Sequence, residues 1–143
     1  MDTRRRSTGM TLIELMVVIA VLGILGTVAV GSYRSYLLRS NRTEARVALL
    51  KVQSQQEKFF LQNNRYANNS ELSTAPPGGL GVPATTSSGF YTINLQNVTT
   101  APPAFIVRAV ATGGQLKDKA ACQALTINQA GARTLADSTG CWK

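Results

Sequence analysis

Histidine is absent from this 143-residue chain, acidic residues number seven, and cysteine occurs only at Cys122 and Cys141. Each scarcity removes a class of chemistry. Proton transfer at neutral pH falls most often to histidine, and a metal centre draws on several His, Cys or paired carboxylates. Neither set can readily be assembled here, so the sequence predicts no catalytic residue, no metal and no cofactor. The nucleophile elbow G-x-S-x-G, the zinc motif H-E-x-x-H and a phosphate-cradling Gly-rich loop are missing too. An enzyme is not expected. The length suits one ordinary domain, and any stretch spent outside a globular core leaves a small domain behind.

Charge is missing along one continuous stretch. From Leu15 to Tyr33 run 19 residues without a charged side chain, LMVVIAVLGILGTVAVGSY. A helix of that length roughly spans the ~30 Å hydrocarbon layer of a bilayer. A secretory signal peptide has an apolar core of only ~7 to 15 residues followed by a small-residue exit. Here the run is longer and passes into a helical pattern. Glu14 stands at its start, where a carboxylate carried to the bilayer centre would cost roughly 2.5–3.5 kcal/mol. Such a residue needs a partner, unless it remains near the headgroups, favoured there by the helix dipole.

The string Gly9-Met10-Thr11-Leu12-Ile13-Glu14, with Arg4, Arg5 and Arg6 before it and the uncharged run after it, resembles the type IV prepilin signature. The resemblance implies a leader of residues 1–9, cut by a prepilin peptidase after Gly9, and methylation of the new amine at Met10. It assigns Thr11 and Glu14 to assembly. A free α-amine at Met10 would give the Glu14 carboxylate its counter-charge, and in this family the pairing is made between adjacent subunits. Two positions depart from the family's usual pattern. Met10 replaces the common Phe, and Gly31 occupies about the place of a helix-bending Pro, which leaves open whether the helix is kinked there. Gly23, Gly26 and Gly31 each weaken the helix by up to ~1 kcal/mol against Ala.

Beyond Tyr33 a helical period continues through Ala45, Ala48, Leu49, Val52, Phe59, Phe60 and Asn63, with Arg42, Arg46, Lys51, Glu57 and Lys58 largely off that stripe. One helix from about Met10 to about residue 64 is expected. It stops among Asn63, Asn64, Asn68 and Asn69. A Pro- and Gly-rich loop then occupies residues 67–89. Strands are predicted at 90–97, 104–111 and 123–129, with a weak fourth at 133–136, which places a sheet within 90–136. The expected fold is α+β: a long N-terminal helix, apolar over 10–33, whose second half packs on a small antiparallel sheet in a head of residues 34–143. Cys122 and Cys141 would close a C-terminal loop over 122–141, as the heads of this family usually do. The ending Gly140-Cys141-Trp142 is similar to minor pilins of the PilE type.

The function implied is a structural subunit of a type IV pilus supporting pilus biogenesis, adhesion, twitching motility or DNA uptake. Its implied partners are other pilin subunits, the prepilin peptidase, an inner-membrane assembly platform and, before assembly, the membrane itself. The precursor would be a single-pass inner-membrane protein and the product a pilus at the bacterial surface. A type II secretion pseudopilin is the alternative. The disulfide leans against it, since the major pseudopilins stabilise this region with calcium, for which Asp118 and Asp137 make a poor site. A DNA-binding competence pilin is a further alternative. The formal charge is +8, and Lys117, Lys119, Arg133 and Lys143 lie in the C-terminal part, but a solvated basic surface is the favoured reading of these residues.

Overall fold

The computed structural model describes residues 10–134 and 140–142. One helix, α1, spans Leu12–Asn63, and the chain divides into two units, the first ending at Tyr36 and the second starting at Leu37. In the first, every described residue is exposed. Its helix begins with a cap: the Thr11 hydroxyl accepts the Glu14 backbone N–H at 3.3 Å, satisfying one of the amides that a helix start leaves unpaired.

In the second unit the helix buries Ala45, Leu49, Val52, Gln56 and Phe59. Steps of four and three keep them on one face. Ala48 and Phe60 pack at its margin, whereas Asn63, expected on the stripe, is exposed. The helix ends because Asn64 turns to a positive φ of 51°, with its N–H bonded to the Phe60 carbonyl at 2.8 Å. Asparagine tolerates this left-handed conformation better than most residues.

The sheet is an antiparallel meander of β1 (Tyr91–Thr100), β2 (Pro103–Ala111), β3 (Ala124–Asn128) and β4 (Arg133–Thr134), in that spatial order. Alternation sets its buried face: Ile93 pairs with Ala109 and Leu95 with Val107 across β1 and β2, and Ala109 pairs with Leu125 and Val107 with Ile127 across β2 and β3. All six are buried with Leu49, Val52 and Phe59 in one core. The expected fourth strand is present at Arg133–Thr134; the Leu135 and Ala136 also expected in it lie outside the described residues, as do Asp137 and Lys143.

The connector over 67–89 is more structured than its composition predicts. Asn68 caps a 3₁₀ turn, Asn69–Glu71, in a reciprocal capping box with Glu71. Leu72, Leu80 and Val82 are buried in the core. Backbone bonds from Leu80 N to Glu71 O (3.0 Å) and Val82 N to Leu72 O (2.9 Å) fold the segment on itself. Gly79 sits where a Cβ would lie 2.2 Å from the Glu71 carbonyl, so no larger residue fits.

Gln56 joins this connector to the helix. Its amide accepts from Ala67 N and donates to Ala67 O, both at 2.8 Å, so a fully buried polar side chain is satisfied by one residue's main chain. Tyr66 adds an edge-on contact to Phe105, ring centroids 4.7 Å apart. Cys122 and Cys141 form the expected disulfide, both buried. Beside it Trp142 lies under the Arg133 guanidinium, 4.9 Å from its ring centroid.

Candidate functional site

The sequence points to two regions, the start of the helix and the surface of the head. At the first, Met10, Thr11 and Glu14 are all exposed, and Gly9 lies outside the described residues. Thr11 and Glu14 meet through the helix cap, which the Thr-x-x-Glu spacing of a capping box announces in the sequence. Glu14 occupies the first turn, where a negative charge is favoured by the unpaired amides of the helix start.

From Leu12 to Val30 the apolar side chains are uncovered, Ile24 at 68 % and Leu12 at 77 % exposure. A contiguous apolar surface of this extent marks a membrane or protein interaction site. The assigned helix passes through Gly23, Gly26 and Gly31 without interruption. A Cβ at any of the three would meet nothing within 4 Å. Packing inside the chain therefore does not require these glycines.

In the head a buried polar cluster ties the helix to the sheet and to the disulfide. Arg42 makes a two-pronged ion pair with Asp118, Nε to Oδ2 at 2.7 Å and Nη2 to Oδ1 at 2.8 Å. Gln115 accepts from Asn41 Nδ2 at 3.0 Å, and its own amide nitrogen lies 3.2 Å from the Leu38 carbonyl, 3.1 Å from Tyr91 Oη and 2.9 Å from Asp118 Oδ2. The Tyr91 hydroxyl in turn donates to the Cys122 carbonyl at 2.9 Å. Burial pushes the Tyr91 phenol above its ordinary pKa. Sequence periodicity set Arg42 apart from the buried stripe and weighed Asp118 only as a calcium ligand. Their pairing joins residues 76 positions apart, and no local signal announces it.

The other described carboxylates of the head are engaged as well. Glu44 accepts from the backbone N–H (3.0 Å) and the hydroxyl of Ser88, which hold its carboxyl below the usual glutamate range. Glu71 takes two hydrogen bonds from Arg65, at 2.6 and 2.9 Å, and is lowered chiefly by that contact. Glu57 accepts from Tyr66 Oη at 3.3 Å. Meanwhile Lys51, Lys58, Lys117, Lys119 and Arg133 are exposed. On the side of the sheet turned from the core, Asn94, Arg108 and Thr126 stand in one cross-strand row.

Residues 31–126, more than half of the chain, match the family described as type IV minor pilin ComP, DNA uptake sequence receptor. Residues 4–30 match the prokaryotic N-terminal methylation motif. The chain is 37 % identical over 75 residues, 52 % of its length, to the type IV major pilin protein PilA of Myxococcus xanthus. It is 36 % identical over 93 residues, 65 % of its length, to a type IV major pilin protein PilE1 of Neisseria gonorrhoeae. These matches span 34 % and 39 % of the two relatives, little more than a third of each. A type IV pilin structure from Shewanella oneidensis superposes with a TM-score of 0.50 at 21 % identity, covering 74 % of this chain and 98 % of that one, which establishes the fold. The exposed apolar helix, the disulfide-closed head and these matches agree: the chain belongs to the ComP family of type IV pilins.

Proposed function

We propose that this pilin is made as an inner-membrane precursor, cut by prepilin peptidase after Gly9, methylated at Met10, and polymerised with other pilin subunits through residues 10–33 at an inner-membrane assembly platform. The observation that carries the proposal is the apolar helix left exposed on all sides directly behind the methylation motif. Before assembly a bilayer can cover that surface; in a filament the same segment of neighbouring subunits can. Release of the Met10 amine supplies a positive charge at the helix start, and Glu14 of an adjacent subunit, moved into apolar surroundings, is stabilised by it. Residues 1–9 then act as leader and residues 34–143 as the displayed head. Intact mass and N-terminal sequencing of sheared filaments test this. A chain starting at N-methylated Met10 is expected, and an uncut chain in filaments would refute it.

For the role of the head we propose DNA capture, as the description of the matched family indicates. The described head carries eleven Lys and Arg against four carboxylates, and all four carboxylates are occupied by partners within the chain. Arg42 and Arg65 are engaged by two of these carboxylates, whereas Lys51, Lys58, Lys117, Lys119 and Arg133 face solvent, as phosphate contact requires. Affinity for duplex DNA should fall steeply with salt, log Kd changing in proportion to the number of phosphates neutralised. Binding that is absent at low salt, or unchanged between 50 and 200 mM salt, would exclude the role.

A further inference from the structure

We propose that the turn Gly113–Lys117 and the lysines around it form a docking surface for the anionic headgroups of the membrane in which the precursor sits. The turn is held to the start of the head's helix: Gln115 bonds the Leu38 carbonyl and Asn41, and Asp118 pairs with Arg42. Leu38 is five residues beyond Tyr33, where the uncharged run ends. Five residues extend at most about 18 Å, and about 7.5 Å if helical. Chain length alone therefore limits the Leu38 carbonyl, to which Gln115 is bonded, to within about 18 Å of the end of the uncharged run. Tyr33 and Tyr36, exposed at 62 % and 67 %, are of the residue type that collects at the bilayer boundary.

The composition of the turn fits a lipid surface. Leu116 is 55 % exposed, and Lys117 and Lys119 on either side of Asp118 are exposed as well. Asp118, the carboxylate between them, would repel an anionic surface, but its side chain is 2 % exposed and neutralised by Arg42. Among the described residues the ion pairs are Arg42–Asp118 and Arg65–Glu71, so neither lysine is tied to a carboxylate there. Arg39, also exposed, adds a third charge one residue from Leu38. An apolar side chain flanked by exposed cations matches what an anionic interface recruits, and the attraction reaches about one Debye length, ~8 Å at physiological salt.

The test uses the full chain in lipid nanodiscs made either of phosphatidylcholine alone or with about one third phosphatidylglycerol, each carrying a nitroxide-labelled headgroup lipid. Paramagnetic broadening of the amides of Leu116, Lys117 and Lys119 is measured against that of Thr100 at the far hairpin. Stronger broadening is expected in the anionic discs, lost in 0.5 M NaCl. Each lysine changed to Gln should lower the docked-to-free ratio about fivefold. K117R/K119R should retain the effect. The Tyr91 amide, unshifted in every variant, shows that the head remains folded. Equal broadening in the two lipids, or broadening indifferent to salt, overturns the proposal. Protection of these residues only in assembled filaments does so too, by assigning the surface to a neighbouring subunit.

Discussion

Replacing Asp118 by Asn tests whether the Arg42 ion pair holds the helix to the head. The carboxylate is 2 % exposed and Arg42 14 %, so the substitution leaves a guanidinium with little access to water and no counter-charge. Removing one member of a buried pair costs about 3–5 kcal/mol. Arg42 can reach solvent in part and Gln115 still bonds Leu38 and Asn41, so about 2–4 kcal/mol is expected for D118N. R42A should cost at least as much, because the carboxylate it strands is the more buried partner. Trp142, the single tryptophan, reports unfolding of the detergent-solubilised chain in urea. With a slope of about 2 kcal/mol per molar, the middle of the usual range, D118N should lower the midpoint by roughly 1–2 M. A double-mutant cycle with R42A and D118A should give a coupling above about 1 kcal/mol. Two single variants each within about 0.5 kcal/mol of wild type, with additive effects, would refute the assignment.

Gln56→Ala strands both main-chain groups of Ala67 in the core and should destabilise by about 2–3 kcal/mol, measured in the same urea titration. Reduction of Cys122–Cys141 should cost roughly 3 kcal/mol for a loop of this length, read as a lower midpoint in dithiothreitol. Glu44 and Glu71 have folded pKa values below the ordinary 4.5; their stabilisation is present above that value and is lost as pH falls through the folded pKa. Midpoints should therefore drop on acidification below about pH 4.5, and the drop should be smaller in E71Q. Glu14→Gln should leave membrane insertion intact and abolish filament formation, scored by shearing assay. Filaments at wild-type level would remove Glu14 from assembly.

Periodicity made most of the fold legible. The buried residues of β1, β2 and β3 are those that alternation names, and Ala45, Leu49, Val52 and Phe59 are those of the helical stripe. The connector over 67–89 was not legible, because its burial of Leu72, Leu80 and Val82 follows no period. Local turns set by Asn68, Gly79 and the backbone bonds around Leu72 carry it into the core. Gln56 escaped notice for a related reason: a glutamine on an apolar stripe looks like an interruption until the backbone that satisfies it is in place.

At the helix start the sequence by itself determined the cap and the exposed apolar run, since the Thr-x-x-Glu spacing and the uncharged stretch are local features whose physics needs only neighbouring residues. The head's charge pattern was decided by tertiary structure. Whether a carboxylate such as Asp118 opposes a basic surface or is withdrawn from it depends on which distant residue meets it. Arg42 lies 76 positions away, and only the packing of the helix against the turn Gly113–Lys117 brings the two within hydrogen-bonding distance.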